Sequence, residues 1–254
     1  MKLTFCYSTF NGLELLVNSV NNILPCVDNV LICHQTISNL GNLHDNNNVD
    51  ILNYLAKKSN VKIIYFFPDL EKSTKQNERD KHNFMIYHSR KLETTHFIMG
   101  ACDHFYKREE VEFAKKFVIE NDIDVSLTAM YTYYKTPNFR LYPIEDYYMP
   151  FICKLQKETK IEAGKYQFKV DPSVMVFPFN KMHLFDNNDV MLHHYSMLRN
   201  DIVDKFTNAA ASIRWTPNQV MQFIDEFENA KEGDLISYFQ NRKLVKCESI
   251  FDAL

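Results

Sequence analysis

The chain has 254 residues with five glycines, six cysteines, one tryptophan and a formal net charge of −3 at pH 7. At the usual glycine frequency of roughly 7%, a chain of this length would carry about 18. The glycines stand at positions 12, 41, 100, 164 and 233. This spacing excludes both the G-x-G-x-x-G dinucleotide fingerprint and the G-x-x-x-x-G-K-[ST] phosphate loop. The small negative charge argues against tight, salt-sensitive binding of nucleic acid.

The cysteines and the amino terminus bear on the cellular compartment. No two cysteines are closer than seven residues, so the chain has no C-x-x-C metal or redox motif. The first residues lack the apolar run of a signal peptide, and no segment approaches the about 18 uncharged apolar residues of a membrane span. These patterns predict a cytoplasmic protein with reduced thiols and no transmembrane segment.

The first 105 residues alternate short apolar runs with longer amphipathic ones, which is typical of β-α-β units and a largely parallel sheet. We predict strands over residues 3–8, 29–33, 61–67 and 95–102. Helices are predicted between them, over residues 13–24, 49–58 and 74–92. The polar segment 36–50, with Asn46, Asn47 and Asn48, is predicted as a loop longer than a β-α connection needs.

The remaining chain is predicted as a helix, a strand-rich middle and a helical end. The helix covers residues 108–121, and the strands cover residues 125–134, 166–170 and 174–177. Three final helices are predicted over residues 202–211, 217–230 and 234–243, the second with Pro217 in its first turn. We therefore predict an α/β domain over residues 1–200, a mostly parallel sheet flanked by helices, and a C-terminal helical extension over residues 201–254 that packs on it.

Polar residues follow each of the four predicted parallel strands, at positions 8–11, 34–39, 68–69 and 102–104. In an open α/β sheet, ligands bind outside the carboxyl ends of the strands. The fourth exit is the most informative, because an apolar run ends there in Asp103 and His104. Hard oxygen ligands at a strand end suit Mg²⁺ or Mn²⁺ bridging a diphosphate. The competing interpretation is that Asp103 caps the helix that follows.

Three segments resemble one known family. Residues 95–106 resemble the Asp-x-Asp-Glu-Phe-Tyr strand end of GT-A glycosyltransferases, particularly the family 2-like enzymes of phages and other viruses. Residues 75–81 are similar to the Asn- and Arg-rich helix before that motif, and residues 192–199 to the late His-His-Tyr/Phe-Ser-x-x-Arg segment whose histidine completes the metal shell. Ala101 and His104 stand where the pattern has acids, so Asp103 is the one carboxylate left in the motif.

The resemblance implies a GT-A (Rossmann-like) fold and a transferase that moves a hexose or pentose from a nucleotide-diphosphate sugar to an acceptor hydroxyl on a glycan, a protein or a modified nucleobase. It implies a Mn²⁺ or Mg²⁺ ion held by Asp103 and His194, with His193 as a further candidate. It places the nucleotide at Thr9, Asn11, Gln35, Ser38, Asn39 and Asp69. Charge-assisted phosphate contacts are predicted from Arg199, Arg79 and Lys81.

Several of these residues have a simpler interpretation. A solvated helix face is the favoured interpretation of Arg79 and Lys81, and a polar turn or a satisfied core histidine is the alternative for His193 and His194.

An inverting transfer also needs a carboxylate base to deprotonate the acceptor hydroxyl. We consider Glu145 and Asp146 the strongest candidates, because Tyr147 and Tyr148 beside them would form a platform for a sugar ring. Asp171 is a second candidate. The competing interpretation is that these acids lie at exposed turns and that the tyrosines pack in the core. A retaining mechanism stays open if no carboxylate is suitably placed.

Three other functions are compatible with these residues. A nucleotidyltransferase would use the same strand-end metal chemistry but normally has two or more clustered carboxylates. A degenerate GT-A module would bind a nucleotide sugar or a glycan without turnover, and Ala101 favours it. A transferase that modifies nucleic acid would differ only in its acceptor.

Overall fold

The computed structural model describes residues 1–43, 49–208 and 212–251. In sheet regions the chain forms the strands β1 Leu3–Thr9, β2 Asn29–His34, β3 Val61–Tyr65, β4 His96–Ala101, β5 His104–Phe105, β6 Val125–Tyr134, β7 Thr136–Tyr142, β8 Met149–Lys154, β9 Lys160–Ile161, β10 Val176–Phe177, β11 Met182–Leu184, β12 Met191–Met197, β13 Leu235–Ile236 and β14 Arg242–Lys246. The helices are α1 Leu16–Ile23, α2 Val49–Ala56, α3 Thr74–Arg90, α4 Arg108–Glu120, α5 Ile202–Asn208 and α6 Pro217–Asn229.

One large sheet organises the molecule, with the strand order β13-β14-β7-β6-β8-β4-β1-β2-β3. Strands β4, β1, β2 and β3 are parallel neighbours, and β8 joins them to β6 with antiparallel pairing on both sides. Strand β12 runs parallel to β6 and antiparallel to β5. Parallel strands covered on both faces are buried along their length, as β1 is at all but one of its residues. The predicted fold class, a sheet with parallel strands flanked by helices, is confirmed.

Helices cover both faces of the parallel strands. Side chains alternate along β1, so Phe5 and Tyr7 join the core cluster that holds residues of α1, α2 and α4. Cys6 between them joins the cluster that holds residues of α3. Within the described ranges, none of the helices combines the length and the apolar character needed to span a bilayer.

Two predicted elements are wrong. Residues 166–170 do not form a strand: Tyr166 packs against Phe177 and Phe179, and its hydroxyl donates to the carbonyl of Val176 at 2.8 Å. Residues 234–243 form β13, a 3₁₀ turn and the start of β14 in place of a helix. Strand β14 pairs with β7, which satisfies its backbone groups and buries Leu244. Residues 44–48 of the predicted loop and 209–211 of the predicted helix lie outside the described residues.

The segment after residue 200 is tied to the rest of the molecule by packing and by strand pairing. Helices α5 and α6 share an apolar cluster with β7, β12 and β14. Aromatic rings of Phe206, Trp215, Phe223 and Tyr238 contact one another within it. This segment therefore brings α5 to the carboxyl ends of the parallel strands.

Candidate active site

Asp103 lies in the short link between β4 and β5 and is only 2% exposed. The Arg199 guanidinium donates a hydrogen bond to its Oδ2 atom. Its Oδ1 atom lies 3.8 Å from Nε2 of His104 and 3.8 Å from Nε2 of His194. The pairing of β5 with β12 sets His194 opposite His104, which brings the two imidazoles to the same carboxylate.

These three residues fit a divalent metal ion. One potential ligand atom from each of Asp103, His104 and His194 lies within 4.8 Å of the other two. The buried Oδ1 of Asp103 has no hydrogen-bond partner among the described residues, and neither do the Nδ1 atoms of the two histidines. A set of one carboxylate and two imidazoles suits Mn²⁺ better than Mg²⁺, which prefers oxygen ligands.

His193 lies on the other face of β12, because successive side chains in a strand point in opposite directions. It is 1% exposed, and its Nδ1 atom lies 2.8 Å from the Tyr133 hydroxyl. Burial lowers the pKa of His193 to about 3. The structure therefore places His193 in the core, away from Asp103, and brings His104 to Asp103 and His194 instead.

The protonation states in this cluster are those that metal ligation requires. Burial alone would raise the pKa of Asp103, but Arg199, followed by His194 and Lys205, holds that pKa well below its usual range. Burial lowers the pKa of His194 to about 3 and also lowers the pKa of His104. At neutral pH the carboxylate is therefore ionised and the imidazoles are neutral, which are the forms that bind metals.

Gly12 allows Arg199 to reach Asp103. Its φ of 70° lies in the left-handed region, and a Cβ there would come within 0.9 Å of Nη1 of Arg199. A side chain at this position would have to displace the guanidinium from the carboxylate.

We expect Gly12→Ala to destabilise the protein more than Gly233→Ala, its matched control. Gly233 also has positive φ, 96°, but its added Cβ would meet nothing closer than Lys243 at 4.0 Å. Both variants carry a backbone cost of about 1–2 kcal/mol. Gly12→Ala should lose about 1–3 kcal/mol more, because it disrupts a buried charged hydrogen bond. Urea denaturation measures both, and equal losses would contradict a packing role for Gly12.

A cavity of about 260 Å³, the strand-end cavity, opens at the carboxyl ends of β1, β2 and β4. Within it, the Lys81 ammonium donates to the side-chain carbonyl of Gln35. The Gln35 amide donates in turn to Asn39 at 3.0 Å. Burial lowers the pKa of Lys81 to about 8. The structure brings together here the predicted residues Asn11, Gln35, Asn39, Lys81, Asp103, His194 and Arg199.

Four other predicted nucleotide-site residues do not line this cavity. Thr9 is buried, and its hydroxyl lies 3.1 Å from Nδ1 of His34. Ser38 accepts backbone N–H groups of its own loop at 3.2 and 3.1 Å. Asp69 is exposed after β3, and Arg79 is partly exposed on α3. Thr9 and Ser38 thus do not line the cavity themselves, and their hydrogen bonds hold the loops that do.

A second cavity of about 310 Å³, the aromatic cavity, adjoins the first and shares His194 and Lys205 with it. Glu145, Asp171 and Tyr147 line it together with Tyr238 and Phe239 of the C-terminal 3₁₀ turn. Tyr147 was predicted as a sugar platform, and it lies here. Its predicted partner Tyr148 packs against Phe168 instead.

The three predicted base carboxylates have different surroundings. Glu145 accepts a hydrogen bond from the Thr132 hydroxyl and has no cation within 4.0 Å among the described residues. Asp171 is ion-paired with Lys75 at 2.9 Å. Burial would raise its pKa, but Ser173 and Lys75 lower it overall. Asp146 is exposed and lies outside the cavity.

Two site residues were missed from the sequence. His104 directly follows Asp103, and that adjacency was the available signal. Lys205 carried no signal beyond its place in a helical pattern. It lines both cavities from α5, and burial lowers its pKa to about 8.

The strand-end site and the sheet define a GT-A type of α/β fold. No protein-family model and no curated protein matches the chain. Among solved structures, S. aureus TarS 1–349 matches with a TM-score of 0.50 and 12% identity, over 90% of this chain and 71% of that one. A longer S. aureus TarS structure matches with a TM-score of 0.50 and 14% identity, and this chain covers only 43% of it.

The TarS likeness shows the fold alone, the fold of GT-A glycosyltransferases. TarS 1–349 has also been crystallised in complex with UDP-GlcNAc and with UDP.

Proposed function

We propose that the protein is a glycosyltransferase that moves a sugar from a nucleotide-diphosphate sugar to an acceptor hydroxyl. The observation that carries this proposal is the pair of cavities that meet at His194 and Lys205. One presents cations and amides at the strand ends, and the other presents carboxylates beside aromatic rings. The GT-A fold supports the same function. The finer assignment to family 2-like phage or viral enzymes rests on the three sequence segments.

The strand-end cavity would hold the nucleotide diphosphate. Lys81, oriented by Gln35, has N–H groups left to donate to the nucleotide. Arg199 presents a planar guanidinium suited to phosphate oxygens. Asp103, His104 and His194 would hold a divalent ion, which when bound supplies positive charge to the leaving diphosphate. The protein's own part is to hold that carboxylate and those imidazoles beside one another at the strand ends.

The aromatic cavity would hold the acceptor. Tyr147 offers a ring face against which an acceptor sugar can stack. Glu145 is the carboxylate we assign as base, since Asp171 is held by Lys75 and Asp146 lies outside the cavity. It would accept the proton of the acceptor hydroxyl as that oxygen attacks the donor sugar.

A module that binds a nucleotide sugar without turnover is the second candidate. The observation that favours it is the engagement of Asp103 by Arg199, together with Ala101 where an acid would add a second carboxylate. A two-metal nucleotidyltransferase is less well supported, because Asp103 is the one carboxylate in the described metal cluster.

Thermal-shift measurements with nucleotide sugars test the proposal. UDP-GlcNAc, UDP-glucose, GDP-mannose and dTDP-glucose are compared, with Mn²⁺ and with EDTA, and free N-acetylglucosamine is the control. A donor at about 100 times its Kd adds about 2.7 kcal/mol of stability, so the Tm should rise by several degrees. No rise with any donor would overturn the proposal. Stabilisation without release of nucleoside diphosphate, even with simple sugar acceptors, would favour the binding module.

A further inference from the structure

Lys205 lies where the two cavities meet, and its ammonium shares its nearest described acid, Asp103, with Arg199. The side chain is 22% exposed. Among the described residues, the only carboxylate oxygen within 4.0 Å of its Nζ atom is Oδ2 of Asp103, at 4.0 Å. That oxygen already accepts from Arg199. A largely buried ammonium that shares its nearest carboxylate with a guanidinium would be stabilised by a bound anion.

The charges that line the strand-end cavity also favour an anion. Lys81, Arg199 and Lys205 are cations, whereas Glu78 and Asp103 are the acids. Glu78 is paired with Lys75, which is not among the lining residues, at 3.1 Å. The cavity thus carries an excess of positive charge before any ion enters it.

A divalent ion at Asp103 would meet this same excess. The carboxylate that would neutralise it already lies beside a guanidinium and an ammonium within 4.0 Å. Arg199 and Lys205 would weaken the attraction of that carboxylate for an added cation. The fixed cations therefore supply positive charge to a diphosphate whether or not an ion is bound.

We propose that Lys205, together with Arg199, binds the donor diphosphate directly, so that nucleoside diphosphates bind without a divalent ion. The inference rests on the proposed function and extends it: the C-terminal segment supplies a phosphate-binding cation that acts as a point charge beside the guanidinium.

Isothermal titration of UDP and of inorganic pyrophosphate in EDTA tests the inference. Wild type, Lys205→Met and Lys116→Met are compared, because Lys116 is exposed on α4 and its replacement makes the same change in charge. Wild type and Lys116→Met should bind both probes. Lys205→Met should bind each about tenfold more weakly, as expected for a lost charge-assisted contact. Lys205→Gln should behave likewise, and melting curves establish that each variant folds.

The outcomes separate this inference from the proposed function. UDP binding that requires Mn²⁺, or equal affinities for the variants of Lys205 and Lys116, would overturn the inference and leave the transferase intact. If UDP, GDP and every nucleotide sugar failed to bind both with Mn²⁺ and in EDTA, the inference and the proposed function would both be overturned.

Discussion

Asp103→Ala is expected to lower the free energy of unfolding by about 3–5 kcal/mol, because it leaves a buried guanidinium without its counterion. Arg199 is the cation concerned: its side chain is 5% exposed and donates to the Asp103 carboxylate. Lys205 loses its nearest acid in the same variant. Urea denaturation measures the change, and Asp146→Ala, which removes an exposed acid, should leave the midpoint nearly unchanged.

The double variant Asp103→Ala/Arg199→Met separates the loss of the ion pair from a general packing defect. Replacing both charges with apolar groups should recover much of the stability lost by the single variant. No recovery would contradict an uncompensated charge as the cause.

Mn²⁺ binding, followed by electron paramagnetic resonance, should be lost in Asp103→Ala, His104→Ala and His194→Ala but kept in His193→Phe.

Glu145→Gln is expected to reduce kcat about 10²–10⁴-fold while leaving donor affinity unchanged, because it removes only the proton acceptor. The donor is the nucleotide sugar that most stabilises the protein, and release of its nucleoside diphosphate is measured. Glutamine keeps the shape of the side chain and its contact with Thr132. A selective loss of kcat at constant donor Kd is the signature of a base in the aromatic cavity.

Asp146→Asn and Asp171→Asn are the matched controls. Asp146 pairs with Lys169 and Arg242 at 3.0 and 3.2 Å, so it should not affect turnover. Asp171→Asn should act through its broken pair with Lys75, lowering stability more than kcat. If Asp171→Asn carried the whole loss of kcat and Glu145→Gln none, Asp171 would be the base.

The parallel half of the sheet could be predicted because its strands are short, mainly apolar segments between amphipathic ones, a pattern that needs no knowledge of strand partners. Strand β12 could not, since His193 and His194 interrupt its apolar residues. In the folded chain, His193 lies beside the Tyr133 hydroxyl and His194 beside the Asp103 carboxylate. Neither contact leaves a pattern in the local sequence. The predicted helix over residues 234–243 includes the first two residues of β14, because only pairing with β13 and β7 identifies them as part of a strand.

Some residues of the candidate site could likewise be predicted from the sequence, and others could not. Asp103, Gln35 and Lys81 were accessible to sequence reasoning, since strand exits and the helix before β4 converge at one edge of a parallel sheet. The choice of His104 over His193 depends on strand direction and register, which the two adjacent histidines at positions 193 and 194 leave undetermined. Lys205 reaches the site on α5. The tertiary packing that places α5 there leaves no pattern in the local sequence.

The distance along the chain between Asp103 and its countercharge sets an order of events during synthesis. Arg199 follows Asp103 by 96 residues, and Lys205 comes later still. At about 5–20 residues per second, a ribosome needs roughly 5–20 s to cover that interval. Throughout it, Arg199 and Lys205, the two cations within 4.0 Å of the Asp103 carboxylate in the folded protein, have yet to be synthesised. We therefore expect the end of β4 to stay hydrated until β12 and α5 have emerged.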